Sequence, residues 1–365
     1  MEVISVAQEF ASITDQLDKH ILHTKIQEIS MTLFPKIKFK KQKMILLFCP
    51  VLLTVACSNV SEDRDITYAE GLSHTSTSTS PVAVPLELDV YYPNDDSTDR
   101  PVFMFIHGGG FTGGTKTKPE IEDMADYYAS RGWVFVSIDY RTTEELGIIE
   151  GMGPEEIPAY YTGIAPQEWV EHAIEGAENT KQLQQSIAMY TAQRDAKAAL
   201  RWIVANSGTY DIDTNYITVG GASAGAITTI ALGISDQDDF RDEISMTDDP
   251  TLATTNLEQT YEVQSMVYFW GSNIKLDVFE GVYDLDPYDA SDPELFMAHG
   301  NGYDPVTPYE GALELQDIYD SLGIHNELVT LEGKGHGAWN AKVDGKGLSE
   351  LSFDFLVERQ GLKLE

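Results

Sequence analysis

Gly221-Ala222-Ser223-Ala224-Gly225 stands between an apolar run, Tyr216 to Val219, and an Ala/Ile/Thr run, Ala226 to Leu232. A strand that ends in this string and a helix that starts from it meet at a sharp turn. Small residues on both sides let the backbone take that turn without side-chain clash. The hydroxyl of Ser223 then projects alone above the edge of a sheet, as in a nucleophile elbow. Short Gly/Ala/Ser strings also occur in ordinary turns and tight helix starts, so the partners of the serine decide.

A second apolar stretch, Val102 to Ile106, runs into His107-Gly108-Gly109-Gly110-Phe111, which places consecutive glycine N–H groups in a loop at a strand end. N–H groups that converge on one point need residues without a β-carbon, and with the N–H of Ala224 they can hold the oxyanion of a tetrahedral intermediate. A phosphate cradle would carry Gly-Lys-Ser or Gly-Lys-Thr after its glycines, and Phe111 to Gly114 offers neither. A base must take the hydroxyl proton, and at neutral pH the usual group is a neutral imidazole. Of the eight histidines, His20 and His23 precede a secretion-type segment, His74 lies in a Ser/Thr-rich stretch and His107 belongs to the glycine loop. His172 sits in a charged segment, His299 ends an apolar run and His325 opens a β-rich one. His336 remains, in the loop Gly333-Lys334-Gly335-His336-Gly337, from which a ring can reach down over the serine. The third member is a carboxylate that orients the imidazole and stabilises its protonated form. Asp304, in the loop after the apolar run Leu295 to Ala298, fits that place. Asp284, Asp286, Asp289 and Asp292 precede the run and read as a solvated acidic turn at its other end. The order Ser223, Asp304, His336 is that of the α/β-hydrolases and not of the chymotrypsin or subtilisin types.

From about Leu86 to the C-terminus the chain resembles an α/β-hydrolase of the carboxylesterase and hormone-sensitive-lipase-like group. The similar segments are Leu88-Asp89-Val90-Tyr91-Tyr92-Pro93, His107-Gly108-Gly109-Gly110, Asp139-Tyr140-Arg141, Asp195 to Trp202, and Gly220 to Gly225. The resemblance implies that Gly109, Gly110 and Ala224 supply the oxyanion N–H groups. Two positions depart from the hormone-sensitive-lipase-like branch. Ala222 stands where that branch usually has Asp or Glu, and His299-Gly300 followed by Asp304-Pro305 replaces its Asp-Pro-Leu-type motif. The second departure resembles the broader esterase and dienelactone-hydrolase pattern.

The rest of the chain fits an α/β fold with a mostly parallel central sheet and helices on both faces. Apolar runs at Leu86 to Tyr92, Val102 to Ile106, Val134 to Ile138, Tyr216 to Val219, Val263 to Phe269, Leu295 to Ala298 and Glu327 to Leu331 predict strands. Ala196, Ala199, Leu200 and Ile203 fall at i, i+3, i+4 and i+7, a core-facing helical stripe ahead of the nucleophile strand. Gly311 to Leu322 and Leu348 to Val357 read as later helices. Thr142 to Ala188 and Ile234 to Glu262 exceed a minimal hydrolase. The first, with Tyr160, Tyr161 and Trp169, is expected to give a small lid whose aromatics would line an acyl or alcohol pocket, with surface padding as the alternative and no pocket residue assigned.

The N-terminal segment has another character. Lys36, Lys38, Lys40, Lys41 and Lys43 precede the apolar stretch Met44 to Ala56, whose thirteen positions are too few for an ordinary membrane span and fit a secretory signal. Leu53-Thr54-Val55-Ala56-Cys57 resembles a bacterial lipoprotein cleavage site, which implies a lipidated Cys57 and a tether to a membrane surface; an ordinary cleaved signal and a secreted protein is the alternative. Met31 reads as the true start, with residues 1–30 an over-extended leader. The expected organisation is a leader over 1–56, a flexible tether over 57–80, within which Ile66-Thr67-Tyr68-Ala69 is the alternative of a first strand, and one catalytic domain over 81–365. Both cysteines, Cys49 and Cys57, precede the catalytic domain, which must hold together by packing alone.

The 365-residue chain holds 24 Lys+Arg against 59 Asp+Glu. Seven of the basic and five of the acidic residues fall in 1–56, so the remainder carries 17 against 54, a net of −37. Nothing there would neutralise phosphates, which excludes nucleic acid as a partner class. The surplus fits either a protein exposed to high salt or plain solubility. Acidic clusters such as Asp236 to Asp239 and Asp248-Asp249 lack the alternation and glycine of an EF-hand loop and read as solvated. The expected function is serine ester hydrolysis with no metal or organic cofactor, on a small-molecule or polymer-borne ester: short-chain carboxylic esters, or acetylated or feruloylated plant material. A lipase or polyester hydrolase of the same fold, a serine peptidase, and a non-catalytic binding module are the alternatives.

Overall fold

The computed structural model describes residues 59–362 apart from 75–79, 274, 275, 277, 284 and 285; Cys57 and the leader lie outside the described residues. Among the described residues one sheet contains β1 (Val60–Ser73), β2 (Val82–Pro93), β3 (Arg100–Ile106), β4 (Val134–Ile138), β5 (Ile212–Ala222), β6 (Ser265–Phe269), β7 (Glu294–Gly300) and β8 (Asn326–Leu331). Their spatial order is β1-β2-β4-β3-β5-β6-β7-β8. From β3 to β8 the strands run parallel, while β2 is antiparallel to both β1 and β4. A two-strand ribbon, β9 (Lys342–Val343) and β10 (Lys346–Gly347), follows.

The helices are α1 (Pro119–Ala129), α2 (Ile157–Tyr160), α3 (Gln167–Gly176), α4 (Thr180–Ala205), α5 (Ala224–Ile234), α6 (Val278–Tyr283), α7 (Tyr309–Leu322) and α8 (Leu348–Arg359). The period-2 alternation of the strands gives the sheet two chemically different faces. Val102, Met104 and Ile106 of β3, with Val134, Val136 and Ile138 of β4, join an aliphatic-rich core under α3, α4, α5 and α7. Phe103, Phe105, Phe135, Phe269 and Phe296 join an aromatic core covered by α1 and α8. The chain is therefore a three-layer α/β/α body with strands buried on both sides, which is why they read as continuous apolar runs.

Residues 60–73 correct the expected tether over 57–80. They form the fourteen-residue edge strand β1, paired along β2 from Val60 opposite Pro93 to Ser73 opposite Val82. Its polar residues face water, which gave the segment a tether's composition. Tyr68, Ala69 and Leu72 nevertheless enter the core, and the Tyr68 hydroxyl donates to the Asp139 carbonyl at 2.8 Å.

Helix α4 also differs from the expected one-sided stripe, since it is buried on every side from Ile187 to Ile203. The second insertion covers its outer face. Arg194 pairs with Asp249 at 2.7 Å, Lys197 Nζ donates to the Asp236 and Asp239 carbonyls, and Arg201 Nε donates to the Thr255 carbonyl at 2.7 Å. The same helix carries Asp195, fully buried in a two-pronged pair with Arg141, whose Nη2 lies 2.7 Å and Nε 2.9 Å from the carboxylate oxygens. That pair ties the Asp139-Tyr140-Arg141 segment after β4 to α4, and Arg141 Nη1 donates on to the Leu72 carbonyl of β1 at 2.8 Å.

Candidate active site

β5 ends at Ala222, and Ser223 follows with φ 56° and ψ −120°, a left-handed conformation that an L-residue adopts only when its surroundings impose it. Its N–H donates to the Phe269 carbonyl at 2.9 Å, and α5 starts at the next residue. The turn is tight because helix and neighbouring strand nearly touch. A β-carbon on Gly225 would lie 2.0 Å from the Ile106 carbonyl oxygen. Ser223 is itself only 8% exposed.

β3 lies beside β5 with Ile106 opposite Gly221, so the glycine loop emerges next to the elbow. Gly109 has φ 149°, and a β-carbon there would lie 1.8 Å from the Gly113 carbonyl oxygen. The loop's carbonyls are each tied back. Lys118 Nζ donates to Gly108 O at 2.9 Å, the Thr112 N–H and hydroxyl to Gly109 O at 3.0 and 2.9 Å, and Gln185 Nε2 to Gly110 O at 2.6 Å. The N–H groups of Gly109 and Gly110 meet no acceptor among the described residues. Ala224, as the first residue of α5, has no partner for its N–H inside the helix. His107 supports the loop from behind, with its ring 3.0 Å from the Gly108 carbonyl and 3.4 Å from the Asp139 carboxylate, stacked on Tyr140. Burial alone would raise the Asp139 carboxyl, but His107 and Lys116 hold it below its usual range.

β6 separates β5 from β7, and the loop after β7 carries Asp304 while the loop after β8 carries His336. In its Nδ1–H tautomer His336 donates to Asp304 Oδ2 at 2.9 Å, leaving Nε2 to accept the Ser223 hydroxyl at 2.9 Å. The Asp304 side chain is 1% exposed and that of His336 31%. Asp304 Oδ1 accepts the N–H groups of Val306 at 2.9 Å and Thr307 at 3.1 Å. Burial pushes the carboxyl up, but these amides and His336 outweigh it and hold Asp304 below the usual carboxylate range. All six residues proposed for catalysis from the sequence, Ser223, Asp304, His336, Gly109, Gly110 and Ala224, thus lie in loops or at a helix start beyond the C-terminal ends of parallel strands. That edge is where open α/β sheets bind ligands.

The other described histidines lie apart from this line. His74 stacks on Tyr160 at 3.8 Å, His172 packs against Gly281, and His325 stacks on Phe355 at 5.8 Å. His299 is fully buried behind Asp304, and burial lowers it. Asp286, Asp289 and Asp292 lie in the turn ahead of β7, at the opposite end of that strand; Asp284 falls outside the described residues.

A cavity of about 200 Å³ opens at Ser223. Phe111, Met189, Ile227 and Val306 give it apolar walls, and Gln182, Gln185, Ser186 and Ser272 give it polar ones. This corrects the expected aromatic lining from the first insertion. Tyr161 and Trp169 are buried in the core, the Trp169 indole N–H donating to the Ser186 carbonyl at 2.8 Å, and Tyr160 is committed to His74. The insertion reaches the cavity instead through the start of α4, one turn of which presents Gln182, Gln185 and Ser186. The aromatics serve to hold that turn, because buried rings gain more from a packed core than from an open wall.

Two residues at the site went unread in the sequence. Gln185 looks like any polar helix residue until the fold sets it against Gly110. Thr307 has a local signal, the Asp-x-x-Thr spacing in which a carboxylate accepts N–H groups two and three residues on. Its hydroxyl oxygen lies 3.0 Å from the Trp270 carbonyl, from Asp304 Oδ2 and from His336 Nδ1. Among the described residues no group of three or more His, Cys, Asp or Glu is disposed to hold a metal, and no helix is long and apolar enough to cross a membrane.

Strand order, elbow and the three converging loops give this protein the α/β-hydrolase fold. Its sequence matches the BD-FAE family model over residues 88–148 and 181–278, and over those segments it is similar to esterase-type α/β-hydrolases. It is 32% identical over 148 residues to phenmedipham hydrolase of Pseudarthrobacter oxydans, covering 40% of this chain and 22% of that one. It is 29% identical over 152 residues to gut esterase 1 of Caenorhabditis briggsae, covering 41% and 21%. The matched region thus spans about a fifth of the length of these curated relatives. Among solved structures, a truncated carbohydrate esterase from gut microbiota superposes with a TM-score of 0.54 at 18% identity, covering 84% of this chain and 99% of that one. Butyrate-bound esterase 2 of Thermogutta terrifontis does so with a TM-score of 0.53 at 20% identity, covering 76% and 91%. At such identities the likeness is one of fold.

Proposed function

We propose that this protein is a serine carboxylic-ester hydrolase that works through an acyl-enzyme. The observation that carries the reading is the unbroken succession from Ser223 Oγ to His336 Nε2 and from His336 Nδ1 to Asp304 Oδ2, 2.9 Å at each step. His336 draws the proton from Ser223 as Oγ attacks the ester carbonyl, and Asp304 stabilises the imidazolium that forms. The N–H groups of Gly109, Gly110 and Ala224 receive the developing oxyanion, each contributing about 3 to 4 kcal/mol in the transition state. His336 then returns the proton to the departing alkoxide, and a water activated by the same ring releases the acid.

The cavity of about 200 Å³ at Ser223 is small, which supports short acyl groups over the long ones of a true lipase. The experiment is fluorophosphonate labelling of the wild type and Ser223→Ala, with p-nitrophenyl esters of increasing chain length as substrates. Labelling is expected in the wild type and absent in the variant, kcat should fall on the order of 10⁴ to 10⁶ in Ser223→Ala, and acetate and butyrate should exceed long acyl chains. An unlabelled wild type would favour a non-catalytic binding module, and faster turnover of long chains would favour a lipase.

A further inference from the structure

Thr307 stands where three acceptors or shared donors crowd one hydroxyl. Its oxygen is 3.0 Å from the Trp270 carbonyl oxygen, from Asp304 Oδ2 and from His336 Nδ1, and the residue is 3% exposed. One hydroxyl has one proton to give and two lone pairs to receive with. The Trp270 carbonyl, just past the end of β6 in a residue 1% exposed, takes no other donor among the described residues. Left without the Thr307 proton, this buried acceptor would have no donor among the described residues. Asp304 Oδ2 already accepts the His336 N–H, and Oδ1 accepts two amides. The proton therefore goes to Trp270, and the lone pairs of Oγ1 face the imidazole.

We infer that Thr307 is a positioning residue for the base: its oxygen shares the Nδ1–H of His336 with Asp304, while its own proton is anchored on the Trp270 carbonyl. The inference rests on the reading of His336 as the base of Ser223. Two acceptors from one short loop hold the ring edge-on, so Nε2 keeps its aim at Oγ through the proton transfers. The second acceptor also stabilises the imidazolium more than the neutral ring, because a charged donor makes the stronger bond. Among the described residues, Asp304 on its own side and His299 behind it at the end of β7 face the ring; burial lowers His299.

Thr307→Val and Thr307→Ser test this against the wild type, with kcat and KM taken across pH on p-nitrophenyl acetate. Val removes the oxygen and is expected to lower kcat about five- to tenfold with KM within about twofold. Because an acceptor for the charged ring is lost, the acid-side midpoint of kcat/KM should move down, by roughly half a pH unit. Ser keeps the oxygen and should restore both. An unchanged kcat and midpoint in Thr307→Val would overturn the inference. So would a midpoint that rises, which would place the hydroxyl proton on Asp304, or a Ser variant as impaired as Val, which would reduce Thr307 to packing. Fluorophosphonate labelling that persists at the wild-type rate in His336→Ala would overturn the base reading itself, and the role of Thr307 with it.

Discussion

Ser223 is held in a backbone conformation it would not choose, and the atoms that hold it are small. Gly225 lets Ile106 approach, the Phe269 carbonyl fixes the serine N–H, and α5 begins without a turn to spare. The same economy governs Gly109, whose missing β-carbon makes room for the Gly113 carbonyl. Gly109→Ala must push that carbonyl aside or rotate the peptide, and either movement turns the N–H groups away from the oxyanion position. We expect kcat to drop on the order of 10²-fold or more with KM little changed, read in steady-state turnover of a short-chain ester. A variant with wild-type kcat would remove Gly109 from the oxyanion site.

Elements decide which residues act together. The edge strand β1 carries Tyr68, Ala69 and Leu72 into the core and offers Leu72 O to Arg141, so its loss would uncover Leu88 and Val90 of β2. A chain starting at residue 81 is expected to be less stable by about 3 to 5 kcal/mol, from two large buried side chains and an exposed sheet edge, or to aggregate. Thermal unfolding of the two forms gives the answer; equal melting temperatures would return the segment to the status of a tether. Helix α4 shows the converse effect. Its first turn brings Gln182, Gln185 and Ser186 to the cavity only because Trp169 and its neighbours pack beneath.

Across the whole molecule, the residues beyond 56 carry a net charge of −37. Some of its basic residues are committed internally: Arg141, Arg194, Lys197 and Arg201 are buried in α4 contacts, and Lys116 lies among Asp65, Asp89 and Asp139. The surface carboxylates therefore repel one another with little local relief. Screening shortens from about 10 Å at 0.1 M salt to about 3 Å at 1 M, so the melting temperature should rise with NaCl over that range. A flat or falling melting temperature would show that the acidic surplus costs the fold nothing.

Much of the fold was legible because its signals are local. Apolar runs located β2 to β8 within a few residues, since strands buried on both faces must be apolar throughout. Gly221 to Gly225 and His107 to Phe111 were readable for a similar reason: a backbone that turns sharply against its neighbour demands small residues in consecutive positions. Asp304 and His336 were reached through their place after predicted strands, though neither falls within the segments matched by the family model. A strand's water-facing side chains conceal its extent, and so β1 read as a tether with only Ile66 to Ala69 as a candidate strand. Nor were Gln185, the lining of the cavity or the Trp270 carbonyl under Thr307. A hydrogen bond from residue 185 to residue 110, or from 307 to 270, has no signature along the chain. Sequence by itself singled out the candidate residues for the proposed chemistry, through backbone demands that act on neighbours. Only the tertiary structure decided what holds those residues in line and what shapes the space before them, because both depend on contacts between segments that the chain keeps far apart.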